Sequence, residues 1–331
     1  MRETVEIALA ANGPYFCGLL TTACSIAMHA SREVALRYHI LDGGIDEKDW
    51  QYLVERVRHF HPESEFDRLP VNEAMFAKYP AWNGNRMAYA RLILPEALKD
   101  VEWVVYCDVD FTWMRDIAEL WREREDGIAL IGTKDGTGWT LDREEKWFAK
   151  YGYPFDREKY FCSGLCFMNL KVFRDETLIA KCQEVMARPD IQYPDQAALN
   201  IATFGRTKLV PQVWQRFTEV VTQDELDRGV VIHHAGEVPW KPLKATDLIS
   251  DTKLIWFRLN ARIHGISLWR SLRRRFGVMA IVMHRLPVYL VRCPVVTHLL
   301  ALAFFAIRHP GVYKWLKIRS RRLSMPKEAY A

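Results

Sequence analysis

The feature that most restricts this chain is an alternation of wholly apolar runs with stretches of helical spacing. VEIALA at 5–10 and VALRYHIL at 34–41 read as buried strands, and between them Leu19, Leu20, Ala23, Ile26 and Ala27 fall at helical intervals within 15–30. An Asp42-Gly43-Gly44 turn leads to a second helical stretch near 46–60, a short segment at 65–70 and a helix expected over 85–98. VEWVVYC at 101–107 is the clearest buried strand; IALIG at 128–132, YFCSGLCFMNL at 160–170 and VVIHH at 230–234 follow, with a helix across 195–204. Strands that are apolar on both faces need helices on both faces, so the pattern predicts a largely parallel sheet in an αβα arrangement. Ligands then belong beyond the carboxyl ends of the strands.

Such a sheet accounts for the front of the chain but not for its end. From Lys253 onward there are 16 Lys or Arg against one acidic residue, Glu328, whereas the preceding 252 residues carry 30 basic and 40 acidic groups. Pro239, Pro242 and the polar run to Asp251 mark a boundary, giving an α/β domain over 1–250 and a basic tail over 251–331. Half of the residues are hydrophobic and about a quarter charged, too polar for a multi-span membrane protein. The seven cysteines (17, 24, 107, 162, 166, 182 and 293) are odd in number, lack a C-x-x-C pair and mostly sit in apolar runs. They read as buried thiols in a reducing compartment. Residues 1–13 have neither a basic start nor a long apolar run, so no export signal is expected.

Chemistry concentrates at Asp108-Val109-Asp110, directly after the strand at 101–107. Two carboxylates one residue apart, leaving a buried strand, can both approach a divalent cation bridging the pyrophosphate of a nucleotide sugar; Mn²⁺ and Mg²⁺ accept such oxygen ligands. A D-x-D triplet arises by chance roughly once in a chain of this length, and the plain alternative is a solvated turn capping the next helix. Its position and its companions decide between the two.

Those companions are IALAAN-x-x-Y at 7–15, YHILDGGI at 38–45, YARLILPE at 89–96, VVYCDVDFTWMRDIAELW at 104–121, YFCSGLCFMNL at 160–170, YPDQAALN at 193–200 and IHHAG at 232–236. They run colinearly from about residue 5 to 242. In them the chain resembles glycosyltransferase family 8, especially bacterial lipopolysaccharide and lipooligosaccharide galactosyl- and glucosyltransferases. The resemblance implies a GT-A fold, a Rossmann-like αβα nucleotide-sugar-binding domain, with a UDP-sugar donor and retention of the donor's anomeric configuration. It assigns Asp108 and Asp110 to the metal, with His233 as the third protein ligand and Val109 in the donor site. An imidazole beside two carboxylates suits Mn²⁺ better than Mg²⁺. Arg91 corresponds to an arginine that touches the donor diphosphate, Ala10 and Asn12 to the end of the first strand where uracil and ribose bind, and Gly236 to a close backbone approach to phosphate.

By the same resemblance Asp195 accepts hydrogen bonds from the donor sugar's hydroxyls and Gln196 faces the anomeric carbon, while Asp135 corresponds loosely to an acidic residue near sugar and acceptor. Each has a structural alternative. Asp195 follows Pro194 and could cap a helix, Arg91 could be a solvated helical arginine, and a lone His at a strand end is usually structural. His234 should face away from His233 and is read as structural. The chain also departs from the family. Asn12 and Pro14 stand where Asp and Asn are usual, Cys162 where an Asn is usual, and the family's K-P-W ending appears as Val238-Pro239-Trp240-Lys241, its phosphate-binding lysine displaced to Lys241.

The expected reaction is front-face substitution. The acceptor hydroxyl enters from the side the diphosphate leaves, a departing phosphate oxygen takes its proton, and Gln196 is too poor a nucleophile to favour a covalent intermediate. Two rivals remain open at the level of sequence. VVYCDVDFT also fits a haloacid-dehalogenase-like phosphatase with Asp108 as nucleophile, but the downstream D-D or G-D-x-x-x-D pair is missing; a degenerate nucleotide-sugar-binding protein is the other.

In the tail, the longest stretch without Lys or Arg runs from Cys293 to Ile307, 15 residues containing Pro294, short of the roughly 20 needed to span a bilayer. Arginines interleaved with Trp, Phe, Leu and Val suggest helices lying on an anionic membrane. The high apolar content argues against nucleic acid as the partner; a packing or oligomerisation cap is the alternative. The expected location is cytoplasmic, peripheral on the inner face of the cytoplasmic membrane, close to a lipid-linked saccharide acceptor.

Overall fold

The structure, a computed structural model, describes residues 2–81, 85–136, 138–236, 238–240, 251–268 and 270–271. Contacts divide the chain into two compact units, Met1–Gly236 and Glu237–Ala331. The first contains β1 (Glu3–Ala11), β2 (Val34–Asp42), β3 (Glu65–Pro70), β4 (Trp103–Cys107), β5 (Phe111–Trp113), β6 (Leu130–Lys134), β7 (Phe161–Asn169), β8 (Thr207–Val210), β9 (Arg216–Phe217) and β10 (Val231–His233). Its helices are α1 (Phe16–His29), α2 (Glu47–Phe60), α3 (Leu94–Ala97), α4 (Ile117–Trp121), α5 (Gly138–Tyr151), α6 (Leu170–Asp175), α7 (Leu178–Met186), α8 (Pro194–Ala202) and α9 (Gln223–Arg228).

The main sheet has the order β3-β2-β1-β4-β7-β6-β8. Its first four strands are parallel, as the apolar runs predict. The exception is β7, which pairs antiparallel with both β4 and β6. All nine residues of β7 are buried, so its sequence reads like that of a central parallel strand and carries no sign of its direction. The reversal matters for the site, because the start of β7 comes to lie beside the end of β4: Cys107 is in register with Leu165, and Asp108 N–H donates to Gly164 O at 2.8 Å.

Local signals explain the flanking helices. Asp46 caps α2 by accepting from Asp49 N–H at 2.8 Å, acidic residues occupy the first turn and basic ones the last, and Leu53, Val57 and Phe60 form the buried stripe. Over 85–98 the chain is not one α-helix. Met87–Ile93 is a 3₁₀ helix, followed by the single turn of α3. Pro95 accounts for this, since its ring cannot donate and would collide with the carbonyl of Arg91 four residues back in a continuous α-helix. The alternation did not point to α5, which bridges β6 and β7.

A second, smaller sheet has the order β5-β10-β9. It forms immediately after the Asp108-Val109-Asp110 turn and pairs His233 with Phe111. Helix α1 buttresses the turn: the Thr22 hydroxyl lies 2.9 Å from both the Val109 and Phe111 carbonyls, and Ser25 Oγ accepts from Trp113 N–H at 3.0 Å.

In the second unit the described residues include the helix α10 (Asp251–Ile263), with the Trp240 and Trp256 rings 6.3 Å apart. The boundary expected at 250 and the basic tail beyond Ser271 lie outside the described residues. Among the described residues no helix is long and apolar enough to cross a membrane, and the six described cysteines are free thiols.

Candidate active site

A cleft of about 600 Å³ opens at the carboxyl ends of β1 and β4, within the range of small-ligand sites. Ala10, Arg91, Asp108, Val109, Asp110, Asp135, Asp195, Gln196, His233 and Gly236 all line it. Asp108, Asp110 and His233 each offer a ligand atom within 4.8 Å of the others. Backbone pairing fixes this cluster. β10 runs against β5 so that His234 N–H donates to Asp110 O at 2.9 Å, and His233 Nε2 faces Asp110 Oδ1 at 3.4 Å.

The charges at this point are not balanced by hydrogen bonds. Asp110 Oδ1 is buried and has no hydrogen-bond donor. Burial alone would raise the Asp110 pKa, but the charge of the neighbouring His233 outweighs that and holds it below the ordinary carboxylate value. His233 shows the converse: burial lowers its pKa, the Asp110 carboxylate raises it, and the net result is about 10. Asp108 is pushed up by burial and by the neighbouring Asp110 and Asp195 charges, against the pull of Arg91. An orphaned buried carboxylate oxygen, a second carboxylate and an imidazole within ligating distance of one another fit a divalent cation that accepts mixed oxygen and nitrogen donors.

Arg91 is neither solvated nor free. It is 1% exposed, donates from Nη2 to Asp108 Oδ1 at 2.7 Å and from Nε to Ala88 O at 2.8 Å, and also donates to Ser163 O. Its guanidinium lies 4.3 Å from the centre of the Tyr106 ring and 3.5 Å from Asp195 Oδ2. Tyr106 donates to the same Asp108 Oδ1 at 2.8 Å, so the second Asp108 oxygen is the one left to ligate. Arg91 thus joins the carboxylates of the D-x-D turn and of α8.

Elsewhere in the cleft, Gln196 sits in a saturated network. Its Oε1 accepts from Ser163 N–H at 3.0 Å, and its Nε2 donates to Asp135 Oδ2 at 3.0 Å and to Tyr160 Oη at 3.3 Å. Tyr160 Oη in turn donates to Glu144 Oε2 at 3.0 Å. Burial pushes the Glu144 pKa up to about 7. Pro194 opens α8, so Asp195 lies inside the first turn rather than capping it; Asp195 Oδ2 instead accepts from Ser163 Oγ at 3.2 Å.

Asn12 is at the end of β1, as expected, but it does not line the cleft: its Nδ2 donates to Glu73 Oε1 at 2.7 Å, leaving its Oδ1 buried without a donor. Gly236 has φ of +79°, a backbone that favours glycine. His234 is buried against the Thr112 hydroxyl at 3.0 Å. Lys241 lies outside the described residues.

Several residues of the site were not singled out in the sequence. Gly164 is one: a Cβ there would stand 2.7 Å from His233 Cε1 and 3.2 Å from Phe111 Cε2. A glycine in mid-strand is a signal for such close approach. Gln215, Glu144 and Tyr160 gave no comparable signal, because their roles depend on partners distant in sequence; Tyr106, two residues before its partner Asp108, reads in the sequence only as part of the buried strand.

The family model for glycosyl transferase family 8 matches residues 6–244. The chain belongs to that family. A lipopolysaccharide 1,2-glucosyltransferase of Escherichia coli is 21% identical over 258 residues, covering 72% of this chain and 73% of that protein. General stress protein A of Bacillus subtilis is 24% identical over 249 residues, covering 69% and 82%. A Haemophilus influenzae protein is 25% identical over 212 residues, which span 62% of its length. Among solved structures, the galactosyltransferase LgtC in complex with donor and acceptor sugar analogues superposes with a TM-score of 0.65 at 24% identity, over 81% of this chain and 99% of that one. The bifunctional glycosyltransferase WbbM gives 0.66 at 16% identity, over 80% of this chain but 52% of that one. These similarities show the fold to be that of GT-A glycosyltransferases.

Proposed function

We propose that the protein is a retaining, metal-dependent hexosyltransferase that moves galactose or glucose from its UDP-sugar to a saccharide acceptor, lipopolysaccharide or another cell-surface glycan. The observation that carries this reading is the Asp108, Asp110 and His233 cluster in the cleft at the strand ends of a family 8 chain. Mn²⁺, or Mg²⁺, held there would supply positive charge to a leaving diphosphate. Ala10 and the Val109 backbone line the part of the cleft suited to a flat base and its ribose, with Gly236 close to the phosphates. Arg91 holds Asp108 and Asp195 in a fixed relation and adds a buried positive charge behind the metal ligands. Asp195 orients the sugar. Gln196, anchored on its amide nitrogen by Asp135 and Tyr160, presents a fixed dipole toward the anomeric carbon as positive charge develops there. The acceptor hydroxyl enters on the face the diphosphate leaves and transfers its proton to the departing oxygen, so no protein base is needed.

Family membership decides against the phosphatase reading. Activity is tested by release of UDP when protein, donor and Mn²⁺ are mixed, after a screen of UDP-glucose, UDP-galactose and their N-acetyl analogues for Mn²⁺-dependent protection against unfolding. A product with a β linkage by NMR excludes retention from an α-linked donor.

The reading extends to location: the basic tail is proposed to adsorb to the anionic inner face of the cytoplasmic membrane and bring the cleft to a lipid-linked acceptor. Each basic residue near such a surface contributes about 1 kcal/mol, screened over about 8 Å at physiological ionic strength. Full-length protein should therefore cosediment with anionic vesicles and be released by salt. Equal, salt-insensitive binding to neutral vesicles, or binding to neither, sinks the electrostatic account.

A further inference from the structure

His233 is confined on every side. The Phe111 and Phe217 rings stack on its faces with centroids 4.2 and 5.2 Å away, and Gly164 leaves no room for a Cβ against Cε1. Nε2 looks toward Asp110. At the opposite edge, 3.1 Å from Nδ1, stands the Gln215 side-chain amide, itself 3% exposed. Gln215 Nε2 faces the ring, and Gln215 Oε1 accepts from the fully buried Thr133 hydroxyl at 2.9 Å.

An imidazole can ligate through Nε2 only when its proton resides on Nδ1, and a buried Nδ1–H needs an acceptor. Gln215, 3.1 Å from Nδ1, is positioned to provide one with its amide oxygen; the Cys162 thiol is a further polar neighbour of the ring. The Thr133 hydroxyl can donate or accept, so the amide can turn end over end and keep a hydrogen bond at both ends. With Nε2 toward the ring, Gln215 can only donate, which does not suit a proton on Nδ1 and so opposes ligation through Nε2. Turned the other way, Oε1 accepts from Nδ1–H and leaves the Nε2 lone pair free toward Asp108 and Asp110.

We propose that Gln215, swivelling on Thr133, is the positioning residue that selects the metal-ligating tautomer of His233. This rests on the metal-site reading given above.

The test is Mn²⁺ binding to the full-length protein, followed by the loss of the free-ion EPR signal, in the wild type and in Gln215→Met, Gln215→Glu, His233→Ala and Asp110→Asn. Gln215→Met keeps shape but removes the acceptor and should weaken binding roughly 10- to 100-fold. Gln215→Glu, which can only accept, should bind at least as tightly as the wild type. In ¹⁵N-histidine spectra of the Mg²⁺-loaded wild type, His233 should carry its proton on Nδ1. Wild-type affinity in Gln215→Met while His233→Ala is impaired, or a proton on Nε2 in the loaded protein, overturns the proposal. Equal Mn²⁺ binding by wild type and Asp110→Asn instead removes the metal-site reading, and the proposal with it.

Discussion

Asp110 keeps a buried carboxylate oxygen without a hydrogen-bond donor, whereas Gln196, in the same cleft, has both ends of its amide engaged. The D-x-D turn gathers two carboxylates and an imidazole whose pKa values are driven apart by one another. Around Gln196, a chain of hydrogen bonds runs from Asp135 through the amide to Tyr160 and Glu144. In the proposed reading a cation completes the first region, since a buried carboxylate oxygen that faces His233 at 3.4 Å still lacks a hydrogen bond. The second has both ends of the Gln196 amide engaged, and in the proposed reading it acts by holding that dipole still. One cleft therefore combines a binding end and a preorganised end, and substitutions at the two should fail differently.

The largest effect is expected at the binding end. Asp110→Asn should lower Mn²⁺-dependent turnover by about 10³-fold, the loss of the several kcal/mol a bound cation supplies, and should also lower the stability of the metal-free protein, because the buried His233 loses the carboxylate that holds it charged. Asp108→Asn should lose turnover similarly with a smaller effect on metal-free unfolding, because Arg91 keeps Asp195 at 3.5 Å and burial already works against the Asp108 charge. A metal-free Asp108→Asn less stable than Asp110→Asn would reverse that ordering.

A smaller loss is expected at the preorganised end. Gln196→Ala should reduce kcat by about 10- to 100-fold with KM for the donor little changed, since a dipole that stabilises developing charge acts in the transition state and forms no bond. Complete loss of turnover with unaltered donor binding would instead assign Gln196 a bond-forming role.

How far the two ends could be read from sequence follows from the same contrast. Asp108 and Asp110 are adjacent and follow a strand whose apolar run is unambiguous, so both the residues and their place in the fold are legible. His233 is identifiable through the IHHAG segment alone, as its meeting with Asp110 depends on β5 pairing with β10 more than a hundred residues later. The Gln196 network is less legible still. Glu144 sits on α5, which hydrophobic periodicity did not indicate, and its partner Tyr160 precedes a strand whose antiparallel direction the apolar run of β7 does not encode. Arg91 was visible as a candidate but not as a fully buried ion-pair partner, because its burial depends on meeting Asp108 and the far-off Asp195.

The finest test asks whether Glu144 serves the network as a charge or only as an acceptor. Burial, reinforced by the Asp135 and Asp195 charges and opposed by the Tyr160 hydrogen bond and Arg143, pushes its pKa from 4.5 to about 7. A carboxyl whose folded pKa is raised binds more protons in the native than in the unfolded state between those two values, so its contribution to stability falls as pH rises from about 4.5 to 7 and stays low above. The full penalty is on the order of 3 kcal/mol. Gln in this position keeps an oxygen to accept from Tyr160 and cannot ionise. Glu144→Gln should therefore be more stable than the wild type at pH 8, nearly equal to it at pH 4.5, and close to it in kcat, since the Gln196 amide keeps its anchors. Denaturant unfolding at the two pH values measures the difference. Parallel stability profiles would mean that Glu144 is neutral or well solvated throughout, and a large fall in kcat would mean that its charge acts through Tyr160 on Gln196.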